Sequence, residues 1–372
     1  MINAGIAKKW IGLAVILSGI LIYSIFIRNL VFLAYADNEP EWFNSFIHTF
    51  YPRFFVERDR FSADFFLQKT DLMVGRISLV FILIIFWGPR LYNKVFVAKD
   101  ISFLNFKVLR VILFGVAPFY YWDWITELIH LGEMKDFYAP VLFLSPLFPN
   151  YPSAYLLAVI FALMILSNLL SILNKQLLFS GLCFALCFIT LEGFFLSFHK
   201  LDHGFATYIY CLLIFPWMGI VKQSKENTFS DAWPIRLIWV SITLSYFMSG
   251  MEKLTISGWH WVMPETIQGY LSLHHTPLGD FVAHYDFLCV LMAVLGLSLQ
   301  LGFVSVLFKP KLVWVFVPAG LIFHFLTGQM FQIAGWISPW QVVYVFFVDW
   351  KQVLEIFSNK GFLYKMINTK NG

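Results

Sequence analysis

Residues 153–173 read SAYLLAVIFALMILSNLLSIL, a run with no Asp, Glu, Lys or Arg. About 20 apolar residues in helical form span the hydrocarbon core of a bilayer, so this run reads as a transmembrane helix. Similar runs lie on both sides of it, near 10–34, 72–89, 108–130, 177–198, 204–220, 233–253, 282–303, 311–329 and 336–350. The whole chain follows the same pattern. Of its 372 residues 59% are hydrophobic and 13% charged, where a soluble domain has about 25% charged. A membrane β-barrel would show alternating polarity along short segments, and no such alternation is present. The expected fold is therefore all-α, a polytopic transmembrane bundle of ten spans.

The positive charges orient it. Lys8 and Lys9 precede the first run and place the N-terminus inside. Arg90, Lys94, Lys99 and Lys107 then fall in an inner loop, as do Lys175, Lys222, Lys225, Lys309 and Lys311. Lys351, Lys360, Lys365 and Lys370 fall in an inner tail, so both termini are expected inside. The first outer loop is acid-rich instead, with Asp37, Glu39, Glu41, Glu57, Asp59, Asp64 and Asp71. Ala34-Tyr35-Ala36 has the look of a signal-peptidase site, but the run before it is long and holds Arg28 and Asn29, so it is read as a retained span.

Other classes drop out. The net charge of +4 is small and the cations scatter at span ends, which excludes a nucleic-acid partner. Cys183, Cys187, Cys211 and Cys289 all sit in apolar runs without metal-site spacing and read as core residues. No internal repeat and no soluble catalytic domain is evident, so any chemistry belongs among the spans.

The residues able to carry chemistry are few. YFMSGMEKLTISGWHW, residues 246–261, brings Lys253 to the outer end of the seventh span. Such a lysine either snorkels to the interface beside the negative end of the helix or, if buried, serves as a base. FHKLDHGFATYIY, residues 198–210, holds His199 and His203 four apart, on one face if helical. Their spacing suits a metal pair but lacks an HExxH signature, and no metal is expected. His324 lies inside the ninth span, and an ionisable residue there is a functional candidate by default. Glu192 precedes His199 by seven positions, near the same face. Asp123, Glu127 and Arg110 could pair across helices. Trp259 and Trp261 fit an interfacial belt. All nine histidines fall in outer loops or outer halves of spans, so an active site is expected to face outward.

Taken in order, LNFKVLRVILFG, KLDHGFATYIYCLLIF, YFMSGMEKL and LIFHFLTGQMFQIAGWISPW resemble the HTTM domain. This is the membrane portion of vitamin K-dependent γ-glutamyl carboxylase and its bacterial relatives. The resemblance covers roughly residues 103–350, after a two-span extension at 1–102 and before a short cytoplasmic tail at 351–372. It implies a carbon–carbon lyase and epoxidase type of enzyme. Lys253 matches the lysine that takes a proton from reduced vitamin K or a menaquinol-like quinol. The quinol anion then reacts with oxygen and yields a stronger base, which removes the γ-proton of a peptide glutamate before carbon dioxide adds. His203 and His324 match supporting catalytic positions, and His199, Trp259 and Glu192 are the associated substrate-binding candidates. The implied partners are the bilayer, a lipid-soluble quinol and a secreted peptide. The implied location is the bacterial cytoplasmic (inner) membrane, with the site toward the periplasm. The chain departs from the family in its two extra spans and in Gly269, which stands later than the family's glycine. A non-enzymatic reading stays open beside this one: a quinone- or lipid-binding protein, or an accessory factor for maturation or export of a secreted peptide.

Overall fold

The computed structural model describes residues 4–96, 100–199, 204–224, 226–332 and 338–359. In chain order α1 (Ala4–Ile22) continues through a π-helical turn at Tyr23–Ile27 into α2 (Arg28–Tyr35). Then come α3 (Glu41–Phe50), α4 (Phe54–Glu57), α5 (Ala63–Phe96), α6 (Phe103–Gly115), α7 (Pro118–Tyr121), α8 (Trp124–Leu131) and α9 (Leu144–Leu147). They are followed by α10 (Ala154–Ile172), α11 (Leu177–Leu196), α12 (Ala206–Ile214), α13 (Trp233–Ile256), α14 (Pro264–Leu271) and α15 (Pro277–Ala283). The last are α16 (Asp286–Gly302), α17 (Val313–Phe331), α18 (Pro339–Val342) and α19 (Trp350–Asn359). Among the described residues the β structure is one antiparallel pair, Ile101–Ser102 with Thr228–Phe229.

Among the described residues six helical segments are long and apolar enough to cross a membrane: Lys9–Tyr35, Phe103–Tyr121, Ala154–Ile172, Leu177–Leu196, Asp286–Leu307 and Pro310–Phe331. In these a long chain-local apolar run meets the one backbone form that satisfies its own hydrogen bonds without water. Ala206–Ile220 is apolar but shorter. α5 and α13 are long, but each carries charges within it or at its ends, such as Lys69, Asp71 and Arg76 in α5 and Arg236, Glu252 and Lys253 in α13. The stretch expected as one span at 108–130 is divided. α6 ends at Gly115, α7 opens on Pro118, and α8 starts only at Trp124. Pro118, which has no N–H to donate and disfavours helical geometry in the residue before it, marks the junction of α6 and α7, and the membrane-length segment ends at Tyr121, ahead of Asp123 at the N-cap of α8.

The chain forms two compact units. The first holds residues 1–94, 122–162 and 186–202. Its core is aromatic: Trp124 packs on Phe188 and Phe195, and Phe194 meets Phe148 and Tyr151. Arg53 ties a loop to the end of α11, Nη1 donating to the Leu196 carbonyl at 3.0 Å and Nη2 to that of His199 at 2.9 Å.

The second unit holds residues 95–121, 163–185 and 203–372. α13 runs through it, packed on α12, α16 and the turn Phe303–Leu307. Gly250 lets α16 approach closely, since a Cβ there would stand 2.8 Å from Leu301 Cδ2. Pro234 sits in the first turn of α13, where a missing N–H costs nothing. Gly258, with φ +55°, turns the chain away just past the helix end, a backbone form open to glycine at little cost. Trp239 Nε1 donates to the Phe346 carbonyl at 2.6 Å and the Tyr208 hydroxyl to that of Leu113 at 2.6 Å.

Candidate functional site

The site grows from one face of α13. Tyr246, Ser249 and Lys253 are spaced i, i+3 and i+7, so they line up along the helix. Tyr246 is buried at 2% exposure, deep in the second unit. Lys253, about 10 Å further along the axis, is half-buried near the helix end. Its Nζ donates to Ser249 Oγ at 3.1 Å and stands 4.9 Å from the centroid of the Trp261 ring. An ammonium has three N–H donors and a neutral amine also has a lone pair, so Lys253 keeps hydrogen-bonding capacity for a ligand.

At the deeper end the Tyr246 hydroxyl bonds both His324 Nε2 and the Tyr344 hydroxyl. The three polar atoms come from α13, from α17 and from the 3₁₀ turn Val343–Phe347 after α18. An aromatic shell surrounds them. Trp340 stacks on His324 with centroids 5.8 Å apart and meets the edge of Tyr246 at 5.4 Å, while Phe303 packs against Tyr246 at 5.0 Å and Tyr344 at 5.7 Å. Gly320 on α17 faces the Tyr344 hydroxyl so closely that any Cβ would overlap it. Ser338 and Gln341 close a capping box that fixes the start of α18 and so the position of Trp340. In an apolar medium a hydrogen-bonded trio of this kind has no water to compete with it.

The expected site residues are distributed as follows. Lys253 and His324 both belong to the second unit, and Tyr246 belongs to the face of one and the hydrogen-bond network of the other. Trp259 is 81% exposed, whereas its neighbour Trp261 turns in over Lys253. Glu192 is half-buried in α11 and His199 is exposed just past that helix, both in the first unit. His203 lies outside the described residues. Among the described residues no group of three His, Cys, Asp or Glu side chains is placed to hold a metal ion.

Arg110 is buried at 8% exposure, with its guanidinium 5.3 Å from the Phe106 ring and Nε unpaired among the described residues. Glu127 is exposed and Asp123 half-buried.

Tyr344 carried no functional signal in the sequence, and Ser249 and Trp340 lay inside stretches that resemble the family without being singled out there. Tyr and Trp are frequent in this chain, and a serine on an apolar helix is commonplace. Tyr246 lay inside the quoted motif, but only its two bonds distinguish it from the other tyrosines.

No family model matches the chain, and no match was found among curated proteins or solved structures.

Proposed function

We propose that the chain is an integral membrane enzyme akin to the membrane domain of vitamin K-dependent γ-glutamyl carboxylase. In this reading Lys253 takes a proton from the hydroxyl of a lipid-soluble quinol. The observation that supports it best is the arrangement on α13. A half-buried lysine with spare hydrogen-bonding capacity shares a face with a tyrosine bonded to an intramembrane histidine. That donor set suits a ligand bearing hydroxyl groups on an aromatic ring, and the Trp340 and Trp261 rings suit its apolar body. A reduced naphthoquinone, when bound, supplies electrons for oxygen chemistry.

The chain's own residues do the rest. Ser249 holds the amine in place. Tyr246 and Tyr344 fix the orientation of the His324 ring, which can then donate or accept at Nδ1. The apolar helices exclude water and strengthen each contact.

The finer topology belongs to the same proposal: ten spans, both termini inside, and a site toward the outer face of a bacterial cytoplasmic membrane. The lysine and arginine distribution supports it. A secreted peptide is the proposed acceptor.

The test uses purified protein in nanodiscs with oxygen and a reduced naphthoquinone, following epoxide by mass spectrometry. Wild type forms epoxide, while Lys253→Ala and Lys253→Arg do not, because an arginine is not deprotonated in proteins. Absence of epoxide from folded wild type across several quinols removes the enzymatic reading.

One observation favours a second reading, a non-enzymatic quinone- or lipid-binding protein or an accessory factor for a secreted peptide. The Lys253 ammonium over the Trp261 ring, at a helix end, is also how an interfacial cation anchors a span. That reading expects Lys253→Arg to retain function.

A further inference from the structure

The loop after the first membrane-length helix holds a short helix whose outer side is aromatic. On α3 the residues Trp42, Phe46 and Phe50 recur at i, i+4 and i+8, and they are 56%, 52% and 43% exposed. Phe43 adjoins them, stacked on Phe46 with centroids 6.3 Å apart, and Phe46 meets Phe50 at 4.9 Å. These four rings occupy an arc of about 100° on a helical projection. The rest of α3 is different. Ile47 is buried, and α3 packs on α9. Asn44 donates to Glu39 Oε1 at 2.5 Å. His48 and Thr49 line a cavity of about 500 Å³ together with Arg53 and Tyr138.

A helix in water with three large exposed aromatics along one side would present an apolar patch with no cause. Two observations say what covers this one. The first is connectivity: the membrane-length segment Lys9–Tyr35 ends just before α3, with only Ala36–Pro40 between. The second is a ring contact. Trp42 stacks nearly parallel on Phe26, with centroids 6.2 Å apart and planes 7° apart. Phe26 is half-exposed on that same apolar segment, and lies about 13 Å back along the helix from its end at Tyr35. α3 thus folds back toward the depth of Phe26 instead of projecting into water, and its aromatic stripe continues the lipid-facing surface of the span.

We infer that α3 is an in-plane membrane helix, with Trp42, Phe46 and Phe50 inserted into the upper acyl region of the bilayer and Ile47 turned to the protein. Helices of this kind seat their apolar face about 5–10 Å into the boundary between headgroups and acyl chains. The acid-rich loop is therefore moored to the bilayer, and the cavity beside His48 and Thr49 opens next to the headgroup layer. This inference stands apart from the proposed chemistry.

The experiment places a nitroxide at Phe46→Cys and, separately, at Ser45→Cys, about 100° round the helix and outside the aromatic arc. The protein is the full chain in phosphatidylcholine nanodiscs, with Cys183, Cys187, Cys211 and Cys289 replaced. Collision with oxygen is compared with collision with a water-soluble nickel chelate. The oxygen-to-nickel ratio is expected to be several-fold higher at position 46 than at position 45. Equal ratios at the two positions overturn the inference. So does spin–spin broadening at position 46 in discs loaded with two copies, which would assign the stripe to a second copy of the chain. Should the cysteine-free background fail to fold, the native chain is photolabelled with a phosphatidylcholine carrying a diazirine high in its acyl chain. Cleavage after glutamate then isolates Trp42–Glu57. Label on Trp42, Phe46 or Phe50 supports insertion, and label on the spans with none on this peptide overturns it.

Discussion

The hydroxyl of Tyr246 meets Nε2 of His324 between two helices, and the same oxygen bonds the hydroxyl of Tyr344. One phenol thus joins two partners that lie 78 and 98 positions away. Tyr246→Phe keeps the ring packing and deletes both bonds. Polar contacts inside membrane proteins contribute about 0.6 kcal/mol on average and up to about 1.7 kcal/mol. A double-mutant cycle of Tyr246→Phe with Tyr344→Phe, read by thermal unfolding in detergent, should show a coupling of about 1 kcal/mol. A coupling of zero would mean that the two hydroxyls do not interact.

Gly320 is required by the position of the Tyr344 hydroxyl, which occupies the space of any Cβ. Gly320→Ala is expected to displace that ring and destabilise by about 1–3 kcal/mol. Gly19, where a Cβ would meet nothing within 4 Å, is the control. Gly19→Ala should be neutral or mildly stabilising, because it lowers the entropy of the unfolded chain. Equal melting temperatures for the two variants would argue against the close approach.

Ser249 is the hydrogen-bond partner of the Lys253 amine. If Lys253 acts as a base, Ser249→Ala should lower quinol-dependent turnover several-fold with little change in melting temperature, and Ser249→Thr should restore much of it. Turnover that is indifferent to Ser249→Ala would leave the amine oriented by other means.

Tyr138 gives a pH dependence outside the spans. Burial pushes its phenol up from 10 to about 12, with a smaller opposing effect from Ser197, while its hydroxyl donates to the Phe148 carbonyl at 3.0 Å. Burial also raises Tyr151, against which it packs. The unfolded phenol ionises near 10, so its contribution to stability is intact below that pH and is lost as the pH rises toward about 12. Thermal unfolding followed from pH 8 to 12 should show a steeper alkaline loss in wild type than in Tyr138→Phe. Parallel curves would refute the assignment.

The Arg53 clamp should be visible in exchange. Arg53→Met removes charge-assisted bonds to the Leu196 and His199 carbonyls, each worth about 1.5–3 kcal/mol. Amide hydrogen exchange at the end of α11 should quicken, while exchange in α16 of the other unit stays unchanged.

The sequence by itself determined that the chain is helical, that several helices are long and apolar enough to cross a membrane, and where most long helices lie. Solvation by hydrocarbon is a local demand: a segment either supplies an unbroken apolar run or it does not, and 154–172 and 177–196 could be read without knowledge of their neighbours. It also singled out Lys253 and His324, because ionisable groups stand out against an apolar background. Tertiary structure alone decided the rest. It turned Trp261, not the exposed Trp259, onto Lys253. It joined Tyr246 to His324 and Tyr344, and laid the aromatic side of α3 against Phe26. None of these follows from spacing along the chain. Which side chains meet depends on helix rotation, close approach at residues such as Gly250 and Gly320, and turns such as Gly258. Those are set by packing among distant segments.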